Sequence, residues 1–176
     1  REIYNSFNKK IQDLYNLTND FASVALSLKK KETIKIEIKP GNPVNPMLAI
    51  RIDTVDEAFD ALGKPVLCDY KLDGFRLQIH KDKDKFWFFT RRLDNVTKQF
   101  NELVKIVKDN VKADSFIIDS EVVGYDPKTY KYSPFQSISQ RIKRKYDIEK
   151  IAKEIPVEIN VFDIIYKNSK NLMNST

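Results

Sequence analysis

The stretch CDYKLDGFRLQIHK, Cys68 to Lys81, is an alternating, strand-like run broken once, at Asp73-Gly74. Alternation sends successive side chains to opposite faces of a strand. The break is open to two readings. It is either a hairpin turn with charged shoulders, or the place where Lys71 is presented for chemistry with Arg76 two residues past the glycine. An ordinary lysine titrates at about 10.4, and its ammonium form has no lone pair to attack with. A nucleophilic Lys71 therefore requires burial at a strand end or nearby cations. Arg76, Arg91 and Arg92 supply positive charge and forked donors for phosphate oxygens. Asp73 would orient the amine or a ribose hydroxyl, and Gly74 would let backbone approach a ligand closely. K-x-D-G by itself arises often by chance.

Working outward, the same period-two pattern predicts strands at 66–71, 76–80, 85–91, 116–123 and 157–166. Between the third and fourth, a helix around 97–110 turns Phe100, Leu103, Val104 and Val107 inward. DTVDEAFDAL (53–62) reads as a short helix with an aspartate cap and carboxylates in its first turn. QRIKRKYDIEKIAKE (140–154) reads as a basic, mostly exposed helical segment. Strands linked by hairpins and interleaved with helices give an α+β fold with a mainly antiparallel sheet.

The first 30 residues have a helical period instead, with Ile11, Leu14, Tyr15 and then Phe21, Val24, Ala25 and Leu28 forming a stripe. The stripe is interrupted at Asn16 to Asp20, where Thr18 or Asn19 caps a second helix. Ile34, Ile36 and Ile38 then alternate with charges, as in a half-buried strand or an extended linker. KPGNPVNP (39–46) packs three prolines and a glycine into eight residues and forbids regular structure. A boundary near residue 40 follows, with 1–39 too short to build a core of its own.

Lysine and arginine outnumber aspartate and glutamate 31 to 25, a net charge of +6 that favours polyanionic partners. One cysteine, Cys68, excludes an internal disulfide, and with the one histidine, His80, it excludes a Cys/His zinc site. Cys68 reads as a small buried residue and His80 as a strand-surface residue. No stretch approaches the roughly 20 apolar residues of a membrane span, so no membrane partner is expected.

YKLDGFRLQIHK, followed in order by FFTRRLDNVTKQF (88–100), SFIIDSEVVGYD (115–126) and PVEINVFDIIYKN (156–168), resembles the ATP-dependent DNA ligases, most closely the archaeal and eukaryotic replicative type. PGNPVNPMLA (40–49) is similar to the linker that enters their adenylation domain. The resemblance covers nearly the whole chain and implies an ATP-grasp-like nucleotidyltransferase domain over 40–176, preceded by the end of a helical DNA-binding domain in 1–39. It implies that Lys71 attacks the α-phosphate of ATP to form a lysyl-AMP phosphoramidate. Asp69 matches an acidic position near the adenine, and Arg76 and Arg91 match arginines beside the ribose and phosphates. Arg91 is favoured over Arg92 because it follows FFT. Glu121 matches a carboxylate for the ribose or a catalytic Mg2+, and Phe162 an aromatic that stacks on the adenine. The implied partners are nicked double-stranded DNA and a sliding clamp. The implied state is a monomer, cytoplasmic in a prokaryote and nuclear in a eukaryote.

Bland readings stand beside these roles. Asp119 and Glu121 share a strand face, where both line a site or both are plain surface. Phe162 is a stacking ring or core. The run Arg141, Lys143, Arg144, Lys145 tracks a DNA backbone or is a solvated face. The family's later carboxylate block and K-x-K-type block are not found, so a truncated chain unable to ligate is expected. Two alternatives remain: an RNA ligase or capping-type nucleotidyltransferase, and a non-catalytic nucleotide- or nucleic-acid-binding module.

Overall fold

The computed structural model of the chain describes residues 2–30, 38–144, 146–173 and 175. Its centre is an antiparallel sheet. β1 (Phe75–Asp82) and β2 (Lys85–Thr90) form a hairpin, and β3 (Ser115–Tyr125) lies on the other side of β1. β5 (Val157–Lys167) pairs with β3, while the two-residue β4 (Tyr132–Ser133) and β6 (Lys170–Asn171) pair with β3 and β5 respectively. The order is β2-β1-β3-β5-β6, so the mixed helix and antiparallel-sheet expectation holds.

One face of the sheet carries Phe75, Leu77, Ile79, Phe88, Phe116, Ile118, Val122 and Val157. It is covered by a 3-10 turn (Thr97–Phe100) running into α4 (Asn101–Asn110), and by α5 (Phe135–Lys143). Phe100, Leu103, Val107 and Ile138 are the helical side of that core. Period two in the strands and spacings of three and four in the helix place these residues opposite one another.

The other face is more polar, and a strap of irregular chain lies across part of it. Gln78 and His80, on alternate residues of β1, hold the strap. The Gln78 amide accepts from Val44 N at 3.0 Å and donates to Val44 O at 2.8 Å. Gly41 N donates to His80 Nδ1 at 3.1 Å, and His80 Nε2 lies 3.2 Å from Gln78 Oε1. Nδ1 is thus the acceptor and Nε2 the donor. Gly41 sits at φ +96°, a conformation that glycine reaches without a Cβ penalty. Ile38 and Val44 add an apolar contact with Ile117 and Ile165. His80 is therefore core and not strand surface, and burial pushes its pKa down to about 3.

Several local expectations are corrected. Residues 66–71 form no strand, and Cys68 is exposed. Without a strand there, Asp73-Gly74 is no hairpin turn. A Cβ on Gly74 would collide with the Val122 carbonyl oxygen, so this glycine allows close approach to β3. The cap of α3 (Val55–Leu62) is Thr54, not Asp53: Thr54 Oγ1 accepts from Glu57 N at 3.3 Å, and Glu57 reaches back to Asp53 N. In the N-terminal segment, α1 (Glu2–Thr18) and α2 (Phe21–Lys30) meet at Asn19, in a left-handed conformation, and Asp20, whose carboxylate accepts from Ser23 N at 3.0 Å. Asp20 is the cap, in place of Thr18 or Asn19.

The 140–154 segment divides into α5 and α6 (Ile148–Glu154). Arg141 is fully buried: it donates to Ile155 O, Gln99 O and Glu102, and stacks 4.6 Å from the Phe100 ring. It joins three helical pieces and is withdrawn from any DNA-facing role, whereas Lys143 and Arg144 are exposed. The alternating Ile34 and Ile36, and Lys145, lie outside the described residues.

Candidate nucleotide site

The polar face of the sheet opens, beyond the strap, into a cleft of about 680 Å³. Asp69, Lys71, Glu121, Asn160, Val161 and Phe162 are among its lining residues, with Tyr132 at the side. Its floor is set by register. Arg76 on β1 pairs with Glu121 on β3, and Glu121 pairs with Asn160 on β5. A cation, a carboxylate and an amide therefore stand in one row across three strands, at the separation where cross-strand side chains interact.

Next to this row, Asp119 is 1% exposed and accepts from Arg76 Nε at 2.9 and 3.0 Å, with Nη2 also bound to it. Burial raises the Asp119 pKa, and the hydrogen bonds and charge of Arg76 oppose the rise. Arg76 is thus held by a forked ion pair under the cleft, with its guanidinium carbon 5.7 Å from the Phe162 ring centre. Phe162 reaches that place through a bulge. Val161 pairs with Ser120 and Asp163 with Asp119, which leaves Phe162 as an extra residue on β5. It is half exposed and belongs to the cleft wall, not to the core.

Glu121 is half-buried. Burial raises its pKa, while the Lys71 charge, a hydrogen bond from Gly74 N and the Arg76 charge pull it down. Lys71 itself is exposed, on the irregular segment that borders the cleft, and is not buried at a strand end. Four sequence-predicted residues, Asp69, Lys71, Glu121 and Phe162, therefore line one cleft, with Arg76 beneath it.

Two predicted residues are not brought there. Asp73 accepts from Phe135 N at 3.3 Å and so caps the start of α5, whose own preceding residue is Pro134. Arg91 is exposed in the turn after β2 and does not line the cleft. Asn160 and Tyr132 line the cleft without having been anticipated; neither sits in a pattern that singles it out. Among the described residues no three His, Cys, Asp or Glu converge as a metal cage. A magnesium ion does not need one, because it keeps waters and binds through one or two carboxylates plus substrate phosphates. Glu121 fits that donor set.

Residues 46–176 match the family described as ATP dependent DNA ligase domain. The chain belongs to this family. Relatives include the DNA ligase of Nanoarchaeum equitans, 49% identical over 166 residues, and that of Sulfophobococcus zilligii, 41% identical over 164. The alignments cover 93% and 92% of this chain but 29% and 27% of those proteins, so the chain spans under a third of their length. The solved ligase domain of M. tuberculosis LigD is similar at 23% identity with a TM-score of 0.45, over 61% of this chain and 31% of that one. No described helix is long and apolar enough to cross a membrane.

Proposed function

We propose that this chain is the nucleotide-charging part of a DNA ligase that seals nicks through a lysyl-AMP intermediate. The observation that carries the reading is the meeting of Lys71, Glu121, Asp69 and Phe162 around one cleft, although they are spread over residues 69 to 162. An exposed amine beside a cleft with a flat aromatic wall and a carboxylate floor suits a purine nucleotide better than an extended polymer.

In the proposed reaction, Phe162 stacks on the adenine and Asp69 lies at its edge. Glu121 would take a ribose hydroxyl or would be the carboxylate that holds Mg2+. Lys71 Nζ, once it has lost a proton to solvent, bonds to the α-phosphorus, and the bond to the pyrophosphate oxygen breaks. Magnesium, when bound, supplies positive charge that offsets the charge developing on the phosphoryl oxygens. The 5′-phosphate of a nick then attacks the phosphorus of lysyl-AMP, releasing Lys71, and the 3′-hydroxyl finally displaces AMP. On this reading residues 1–39 close a DNA-binding domain, nicked duplex is the partner, and the protein works as a cytoplasmic monomer.

The test is incubation with α-labelled ATP and magnesium, with Lys71→Ala beside the wild type. The expected result is an acid-labile label on the wild type alone. Label that survives Lys71→Ala would place the nucleophile elsewhere. ATP binding without any covalent label would favour the binding-module reading.

A further inference from the structure

Asn160 stands at the β5 end of the row that begins with Arg76 and continues through Glu121. Its Nδ2 is shielded from solvent and has no hydrogen-bond partner, one of two such buried side-chain atoms among the described residues. The other, Arg141 Nε, belongs to a guanidinium that is already held through both Nη atoms. A buried donor left unpaired costs about 1–3 kcal/mol, so a fold that keeps one invites a search for its missing acceptor. Asn160 lines the nucleotide cleft, and the terminal torsion of an asparagine is broad enough for the amide to turn toward that cleft. Opposite it, Glu121 offers only acceptors when ionised.

An ionised carboxylate and an amide NH2 side by side are complementary to a single hydroxyl. The carboxylate accepts the hydroxyl proton, and the amide donates to the hydroxyl oxygen. A phosphate oxygen would suit Asn160 but be repelled by Glu121, and an exocyclic amine would suit Glu121 but not Asn160. Only a group that both donates and accepts satisfies the two together. On the nucleotide reading proposed above, on which this inference rests, the groups of that kind are the ribose hydroxyls. We propose that Asn160 is a specificity residue which, with Glu121, clamps one ribose hydroxyl of the nucleotide.

The clamp predicts a coupling, not merely a loss. Calorimetric titration of the whole chain with ATP, 2′-deoxy-ATP and 3′-deoxy-ATP should show one deoxy analogue binding more weakly than ATP, which identifies the hydroxyl. Asn160→Ala and Asn160→Leu should each weaken ATP by about three- to tenfold, the range for one neutral hydrogen bond. Neither should weaken the analogue that lacks the clamped hydroxyl, because its partner is already gone. Thermal melts of the variants report folding separately, and Asn160→Leu keeps most of the side-chain volume. Equal losses for all three nucleotides, or no loss for any, would overturn the clamp and leave Asn160 a packing residue. A wild type that binds ATP and both analogues alike would also overturn it, with the nucleotide reading intact. Binding of none of the three would remove that reading as well.

Discussion

At the scale of single residues, the decisive chemistry is in pairs that the strand register brings together. Asp119 is buried and raised in pKa by that burial, yet it stays useful because Arg76 grips both of its oxygens. Removing one partner of such a pair leaves the other charge uncompensated, at a cost of about 3–5 kcal/mol. Asp119→Ala should lower stability at the low end of that range, because Arg76 keeps some contact with water. Urea unfolding at neutral pH measures it, and a loss below 1 kcal/mol would mean that Arg76 finds another acceptor, such as Glu121. Arg76→Lys should recover little, since an ammonium cannot reproduce the fork. Of these residues the sequence showed the two carboxylates on one face, from their spacing. Nothing in it could show that Arg76 would face Asp119 across the sheet. The contact of Asp73 was hidden for a similar reason: its carboxylate serves Phe135 N, 62 residues away in the chain, and no local pattern announces that.

At the scale of elements, the strands from β1 to β3 were legible because one face of each is buried in a continuous core. Period two is only a reliable signal under that condition. The 66–71 run alternates as well, but no strand pairs with it, so pattern alone overstated it. The bulge that turns Phe162 into the cleft was invisible, since a one-residue insertion leaves composition unchanged. The strap was read correctly as irregular, from its prolines, but what holds it was not: His80 passed as a surface residue. That burial has a pH consequence. The His80 pKa falls from 6.5 to about 3 on folding, so the unfolded chain binds more protons between those values. The stability contributed by neutral His80 is fully present above pH 6.5 and is lost as pH falls toward 3. The difference between the stability–pH curves of wild type and His80→Gln should therefore slope throughout that window and be flat above it. A flat difference down to pH 4 would show that the histidine protonates in place, and that Gly41 N does not depend on its lone pair.

At the scale of the whole molecule, the described chain beyond α1 and α2 has two unequal parts. The sheet, with α4, α5 and the strap, buries its apolar residues, and Arg141 ties its helical cover together. By contrast, the segment from Met47 to Tyr70 leaves Ile50 85% and Leu67 97% exposed, and α3 within it buries no residue. What holds α3 together is local: the Thr54–Glu57 cap at one end, and at the other the bond from Gly63 N to Phe59 O, at 2.9 Å. A helix of eight residues held by caps alone is marginal, because most helical stability comes from packing an apolar face. Lys71 follows directly on this loosely held stretch, while Glu121 and Phe162 are fixed to the sheet. The Lys71 amine is thus on the loosely packed side of the cleft, and Glu121 and Phe162 are on the sheet side. Local opening free energies follow packing, so amides from 47 to 72 should exchange with solvent in seconds, whereas those of β1 and β3 should be protected to near the global unfolding limit. Hydrogen exchange read by mass spectrometry resolves the two parts. Addition of ATP should slow exchange around Lys71 through contacts with both sides of the cleft, and Lys71→Ala should reduce that slowing. Protection over 66–72 equal to that of β1 without nucleotide would contradict this division, because it would require a strand partner for a segment that has none among the described residues.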